Sequence, residues 1–137
     1  MKKQILVVFL FSLVSGLSYS QIIFEKGYLI NNSNQRIECL IKNMEWKNNP
    51  TELEFKLSQN EITQKISVES AKEFGIGDAI KFISVRVKID RSAEDINGIS
   101  SESKPIFHEE QLFLRAIIEG KASLYSYMDG NLARFFL

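Results

Sequence analysis

Apolar and polar side chains alternate along much of this chain with a period of two. Leu53, Phe55 and Leu57 are interleaved with Glu52, Glu54 and Lys56, and Ile62, Ile66 and Val68 with Thr63, Lys65 and Ser67. Successive side chains of a strand point to opposite faces, so such runs build sheets with one dry and one wet side, and residues 58–61 between them close a hairpin. The same period returns in residues 80–89, where Ile83, Val85, Val87 and Ile89 face one way and Ser84, Arg86 and Lys88 the other.

Residues 111–137 concentrate the pattern. They are expected to form three consecutive antiparallel strands, broken at Gly120-Lys121 and at Asp129-Gly130. Asp-Gly suits the centre of a tight hairpin turn because both residues tolerate positive φ. Tyr125, Tyr127, Phe135 and Phe136 then become cross-strand aromatic partners. A helix over 109–119 is the competing reading, since Glu, Gln, Leu, Arg and Ala favour helices and Gly120 suits the position after a helix end. The run Phe113-Leu114-Arg115-Ala116-Ile117-Ile118 decides for strand: it is apolar around every side of a helix, yet fits a sheet buried on both faces.

The remaining elements follow in order. Residues 22–30 read as a strand, with Gly27 marking a bulge. Asn31-Asn32-Ser33-Asn34 makes a turn, and residues 35–42 return with Ile37, Cys39 and Ile41 on one face. Asn31-Asn32-Ser33 also matches the glycosylation sequon, a match too short to carry weight. Residues 43–50 form a loop, because Asn48-Asn49-Pro50 disfavours both a helix and a central strand. Residues 67–74 are expected to make a short helical turn, with Ser70 and Glu73 at capping-box spacing. Residues 90–105 turn polar and serine-rich and are expected to form a mobile loop. That loop fails as a calcium site, because alignment on an EF-hand puts Ala93 at the first ligand position and Lys104 where the bidentate Glu belongs.

The first twenty residues are set apart. Lys2 and Lys3, an apolar run over 5–14 and Ser18-Tyr19-Ser20 before Gln21 have the layout of a cleaved secretory signal peptide. The run is short for a membrane span, which needs about 20 residues, so a retained anchor is the weaker alternative. No transmembrane span is expected in the mature chain. Residues 21–137 suit one domain. Losing Lys2 and Lys3 from 17 basic residues leaves 15 against 17 acidic ones, a formal charge of −2. That balance argues against a nucleic-acid partner, which needs a basic stripe. Cys39 is the only cysteine. It cannot form an intramolecular disulfide, and with no neighbouring histidine or cysteine it reads as a small core residue.

Chemistry-bearing motifs are absent. There is no GxSxG, HExxH, CxxC, GxGxxG or GxxxxGK[ST] pattern. His108, the sole histidine, lies beside Glu109 and Glu110. Adjacent strand residues face opposite ways, so these three do not make a metal site, and no metal or cofactor is expected. Trp46 with Tyr125 and Tyr127 is the candidate ligand-binding set, an aromatic platform at a barrel mouth. The competing role of Trp46, and the preferred one, is a lid over the open end of a small β core.

The phrases FEKGYLI, ECLIKNMEWKNNPTELEFKL, KEFGI and KASLYSYMDGNLARFF resemble the amino-terminal region of uncharacterised secreted, outer-membrane-associated envelope proteins of Gram-negative bacteria. In these a β-rich domain precedes further sequence and, in some members, a predicted outer-membrane barrel. The resemblance spans nearly all of the mature chain and implies residence in the periplasm or at the outer membrane, but supplies no catalytic or binding residue; this chain stops at Leu137 where longer relatives continue. The expected architecture is a single antiparallel β domain, a roll, barrel or sandwich of about seven strands with one or two short helices. The expected function is that of an exported non-catalytic envelope module, meeting a protein partner or a barrel through its last strand. The alternatives are a small-ligand or glycan binder and, less well supported, a hydrolase with a spatially assembled site.

Overall fold

The computed structural model describes residues 23–92, 105 and 107–137. They form nine strands: β1 Phe24–Asn31, β2 Arg36–Lys42, β3 Glu52–Lys56, β4 Gln64–Ser67, β5 Ala71–Ile76, β6 Ile80–Asp90, β7 Phe107–Ile118, β8 Leu124–Asp129 and β9 Leu132–Phe136. Every neighbouring pair is antiparallel, and one sheet runs in the order β4-β3-β2-β1-β5-β6-β7-β8-β9. The sheet curls into a half-barrel.

The registers show how one sheet makes two cores. Leu29 lies opposite both Ile37 and Phe74, Phe74 opposite Phe82, and Ile41 opposite Phe55. These side chains share one face and form the first core with Cys39, Leu53, Ile76 and Phe113. On the next residues along, Ile83 meets Leu114 and Val85 meets Leu112, which puts them on the other face. There Ile89, Leu112, Leu114 and Tyr127 form the second core, with Ile83, Val87, Tyr125, Leu132 and Phe136 packed against it. β6 and β7 are therefore dry on both sides only around Phe82–Ile83 and Phe113–Leu114, since further along β6 the first-core face carries exposed Arg86 and Lys88. The apolar run from Phe113 is buried at its start. Its far end differs, for Ile117 and Ile118 are exposed.

Several expectations are corrected. No helix occurs among the described residues, and the strands number nine rather than about seven. The segment expected as a helical turn is instead a tight turn, with the Ser70 N–H donating to the Ser67 carbonyl at 3.0 Å, followed by β5. Burial decides this: Ala71, Phe74 and Ile76 all enter the first core from an inner strand between β1 and β6. Gly27 makes no bulge; the irregularity falls between Ile30 and Asn31. Gly27 serves close approach, since a Cβ there would stand 2.3 Å from the Gly75 carbonyl oxygen. The last hairpin turns one residue later than expected. Asp129 pairs with Leu132, so Gly130 and Asn131 are central, and Gly130 (φ 59°) alone supplies positive φ. β3 ends at Lys56 and β4 begins only at Gln64, which leaves Leu57 and Ile62 outside the strands and exposed. Of the expected mobile loop, Asp90 ends β6 and Arg91 and Ser92 are held by side-chain bonds, while 93–104 lie outside the described residues.

Trp46 behaves as a lid. The loop after β2 carries it back over the first core, where its ring meets Phe74 and Phe82 edge-on, each at 5.5 Å. Phe74 in turn stacks on Phe82 at 5.0 Å and meets Phe113 edge-on at 5.1 Å. Aromatic pairs prefer these geometries, so the lone indole closes an aromatic cluster.

Candidate functional site

Within the described residues the sheet has two edges, β4 and β9, and they are built differently. β4 is four residues long, and Lys65 stands on it, paired with Glu52 at 2.9 Å and Glu54 at 3.5 Å. Shortness and a lysine are the usual devices that keep an edge from pairing with another chain. β9, Leu132-Ala133-Arg134-Phe135-Phe136, has one charged side chain, and its guanidinium is engaged by backbone carbonyls. Arg134 donates to the carbonyls of Asp90 and Ser92, each at 3.0 Å, and to that of Ala133 at 2.8 Å.

The backbone of β8 fixes which groups of β9 face outward. β7 and β8 pair only as far as Arg115 and Ser126, and beyond that point Asn49 fills the gap between them. Its amide donates to the carbonyls of Phe113 at 2.7 Å and Ser126 at 2.8 Å. Its side-chain oxygen accepts the Met128 N–H, its own N–H donates to the Met128 carbonyl, and Asn48 accepts the Gly130 N–H. Ser126 and Met128 thus aim their polar backbone groups away from β9. Directly opposite residues of an antiparallel pair either both face one another or both face away. Ala133 and Phe135, which lie opposite Met128 and Ser126, accordingly point their N–H and C=O groups to the open side. Beside them Phe135 is 64% exposed, Met128 43% and Leu137 99%. An unpaired strand edge flanked by apolar side chains on one face is the feature that accepts a further strand.

On the other face Arg91 ties the site to the core. It donates to both oxygens of Glu110 at 2.7 and 2.8 Å, to Asp129 at 3.0 Å and to the Tyr127 hydroxyl at 3.2 Å. The guanidinium holds the Glu110 carboxyl below the usual range, and Glu110 raises Arg91 in turn. Sequence reasoning passed over Asn49, Arg91 and Arg134. The signals were present only as a doubled Asn before Pro50 and a single charge within an apolar strand.

A polar groove of about 500 Å³ lies elsewhere on the sheet, lined by Lys26, Tyr28, Arg36, Glu38, Asp78, Lys81 and Glu119 among others. Tyr28 donates to Glu73 at 2.6 Å and lies across Gly75, where a Cβ would come within 2.7 Å of its ring. Burial, then Glu73, pushes its pKa up to about 12. Arg36 covers the ring from 3.7 Å, leaving little aromatic face for a sugar. Arg36 pairs with Glu38, and Lys81 with Glu119, each at 2.7 Å. The groove's charges are thus largely spent on one another.

The structure does not bring the expected ligand set together. Trp46 packs on the first core, whereas Tyr125 and Tyr127 belong to the second, on the opposite face of the sheet. Trp46 also borders a cleft of about 380 Å³ with Met44, Asn48, Asn49 and Pro50. Cys39 is buried, and desolvation pushes its thiol up to about 11, away from the reactive thiolate. His108 is exposed on β7 opposite Ile89, with Glu110 two residues on engaged by Arg91. No group of acidic, His or Cys side chains among the described residues has the geometry to hold a metal ion. No helix among them is long and apolar enough to cross a membrane. Comparison with protein-family models, with curated proteins and with solved structures finds no match to this chain.

Proposed function

We propose that this chain is an exported, non-catalytic module of a Gram-negative envelope that binds another protein by accepting a strand along β9. The observation that carries the reading is the outward N–H groups of Ala133 and Phe135 beside exposed Phe135, Met128 and Leu137. Export rests on the signal-peptide layout of residues 1–20 and on the sequence resemblance. The perturbed ionisable groups support a structural role for the charges, since those of Arg91, Glu110, Lys81 and Glu54 are each shifted chiefly by an ion-pair partner. Strand addition draws affinity from main-chain hydrogen bonds and selectivity from alternate side chains, so it needs no pocket.

The test is photocrosslinking in intact cells. A photoreactive residue at Phe135 should give one discrete adduct, and the same residue at Lys65 on the β4 edge none. Equal labelling at both edges, or none at Phe135, overturns the reading. A small-ligand reading survives at the Trp46 cleft, because that indole borders open volume. Its check is the fluorescence of the single tryptophan across a glycan and lipid panel, and an unchanged spectrum removes it.

A further inference from the structure

We propose that the strand β9 accepts is β9 of a second copy of this chain, paired antiparallel about a twofold axis at Phe135 so that two half-barrels share one continuous sheet. The inference rests on the strand-accepting reading above and names its partner.

Charge makes the first argument. Arg134 is the only charge on β9, and it is spent on the carbonyls of Asp90, Ser92 and Ala133. Apart from Arg134, the side chains of β9 are uncharged, so its edge is best matched by a strand equally poor in charged side chains, and β9 itself is such a strand. Its alternate residues Ala133, Phe135 and Leu137 lie on the face that carries exposed Met128. A twofold contact sets that patch against its own copy, so each molecule covers the apolar surface that the other leaves open.

Register makes the second. Antiparallel pairing through the outward groups joins odd-numbered residues to odd-numbered ones, because Ala133, Phe135 and, by the same alternation, Leu137 carry them. An axis at Arg134 would set two arginines directly opposite, where like charges repel. An axis at Phe135 sets Phe135 against its copy, Ala133 against Leu137 and Arg134 against Phe136. It also engages the outward groups of all three residues. The Ala133 carbonyl, which already accepts from Arg134, has a second lone pair for the new bond. Such a contact lies at the small end of specific interfaces, roughly 1,000 Å² or less, so the dimer should be concentration-dependent.

The experiment is light scattering of the full chain, expressed with its own leader, across a concentration series, with F135K and F135E alone and mixed. Wild type should pass from monomer to dimer. Each variant alone should associate at least about tenfold more weakly, since an exposed anchor becomes a like-charge pair across the axis. The mixture should recover dimer, because lysine then meets glutamate. A wild type that stays monomeric throughout, or an F135K that dimerises like wild type, overturns the proposal. The crosslink separates this from the parent reading: an adduct of another mass at Phe135 leaves strand acceptance standing and ends self-pairing, and no adduct ends both. Native far-UV circular dichroism and unchanged amide exchange protection of β8 in both variants would show that the fold has survived at this edge.

Discussion

Arg91 is the residue on which the free end of the sheet is balanced. It stands just after β6, yet its partners Glu110, Asp129 and Tyr127 belong to β7 and β8. Both members of the Arg91–Glu110 pair are about one-third exposed, and the contact is bidentate, the geometry in which an arginine and a carboxylate bind best. Glu110 is held below its ordinary pKa chiefly by Arg91, so the folded state prefers it ionised. The contribution is complete above the unfolded-state value of about 4.3 and is lost as pH falls through the lower folded-state value. Asp90, lowered by its bonds from Ser92, and Glu54, lowered by Lys42, lose stability in the same direction. Glu110→Gln should therefore be less stable than wild type at neutral pH, with the gap closing in acid. Urea midpoints of both proteins from pH 7 downward check this, and a gap that stays constant with pH would show that the pair's ionisation is not what Arg91 exploits.

At the scale of elements, the loop between β2 and β3 does two jobs from neighbouring residues. Trp46 closes the first core, while Asn49 replaces the missing ladder where β7 and β8 part. Removing that side chain leaves the Phe113 and Ser126 carbonyls and the Met128 N–H without these partners. Each neutral hydrogen bond contributes about 1 kcal/mol, and a buried group left unmade costs more, so Asn49→Ala should lose on the order of 2–3 kcal/mol. Hydrogen exchange should localise the loss: amides of β8 and β9 should exchange faster while the β1–β2 pair keeps its protection. Uniform loss over the whole sheet would mean that Asn49 supports the fold generally. Alternation made most of these elements legible, because strands such as β3 and β6 wear their two faces in the sequence. β5 escaped it, since Lys72, Glu73 and Gly75 interrupt the apolar positions, and only its pairing with β1 and β6 shows it to be strand. The Tyr28–Arg36 contact was hidden for another reason: it depends on the β1–β2 register, which no local pattern states. Asn49 was read as a loop residue, correctly, but its partners lie more than sixty positions away.

At the scale of the whole molecule, the question is whether two cores on opposite faces make one cooperative unit. The shared strands β6 and β7 argue that they do. Their register runs unbroken from Phe82 opposite Arg115 to Asp90 opposite Phe107; Phe82 and Phe113 supply the first core, while Ile83, Val85, Val87, Ile89, Leu112 and Leu114 supply the second. Phe113 enters the first core and its neighbour Leu114 the second. Neither core can melt without unpairing strands that the other needs. Truncating either side chain to alanine should cost about 3 kcal/mol, the ordinary range for buried Phe and Leu. Trp46 touches the first core alone, which makes its fluorescence a reporter of that core. If the molecule unfolds as one, Leu114→Ala must lower the Trp46 midpoint about as far as Phe113→Ala does, and the far-UV circular dichroism transition must coincide with it. A Trp46 midpoint that stays at the wild-type value in Leu114→Ala, while the dichroism transition splits, would show two cores sharing strands without sharing stability. The β9 edge would then open on its own, and strand exchange there would be governed by the second core alone.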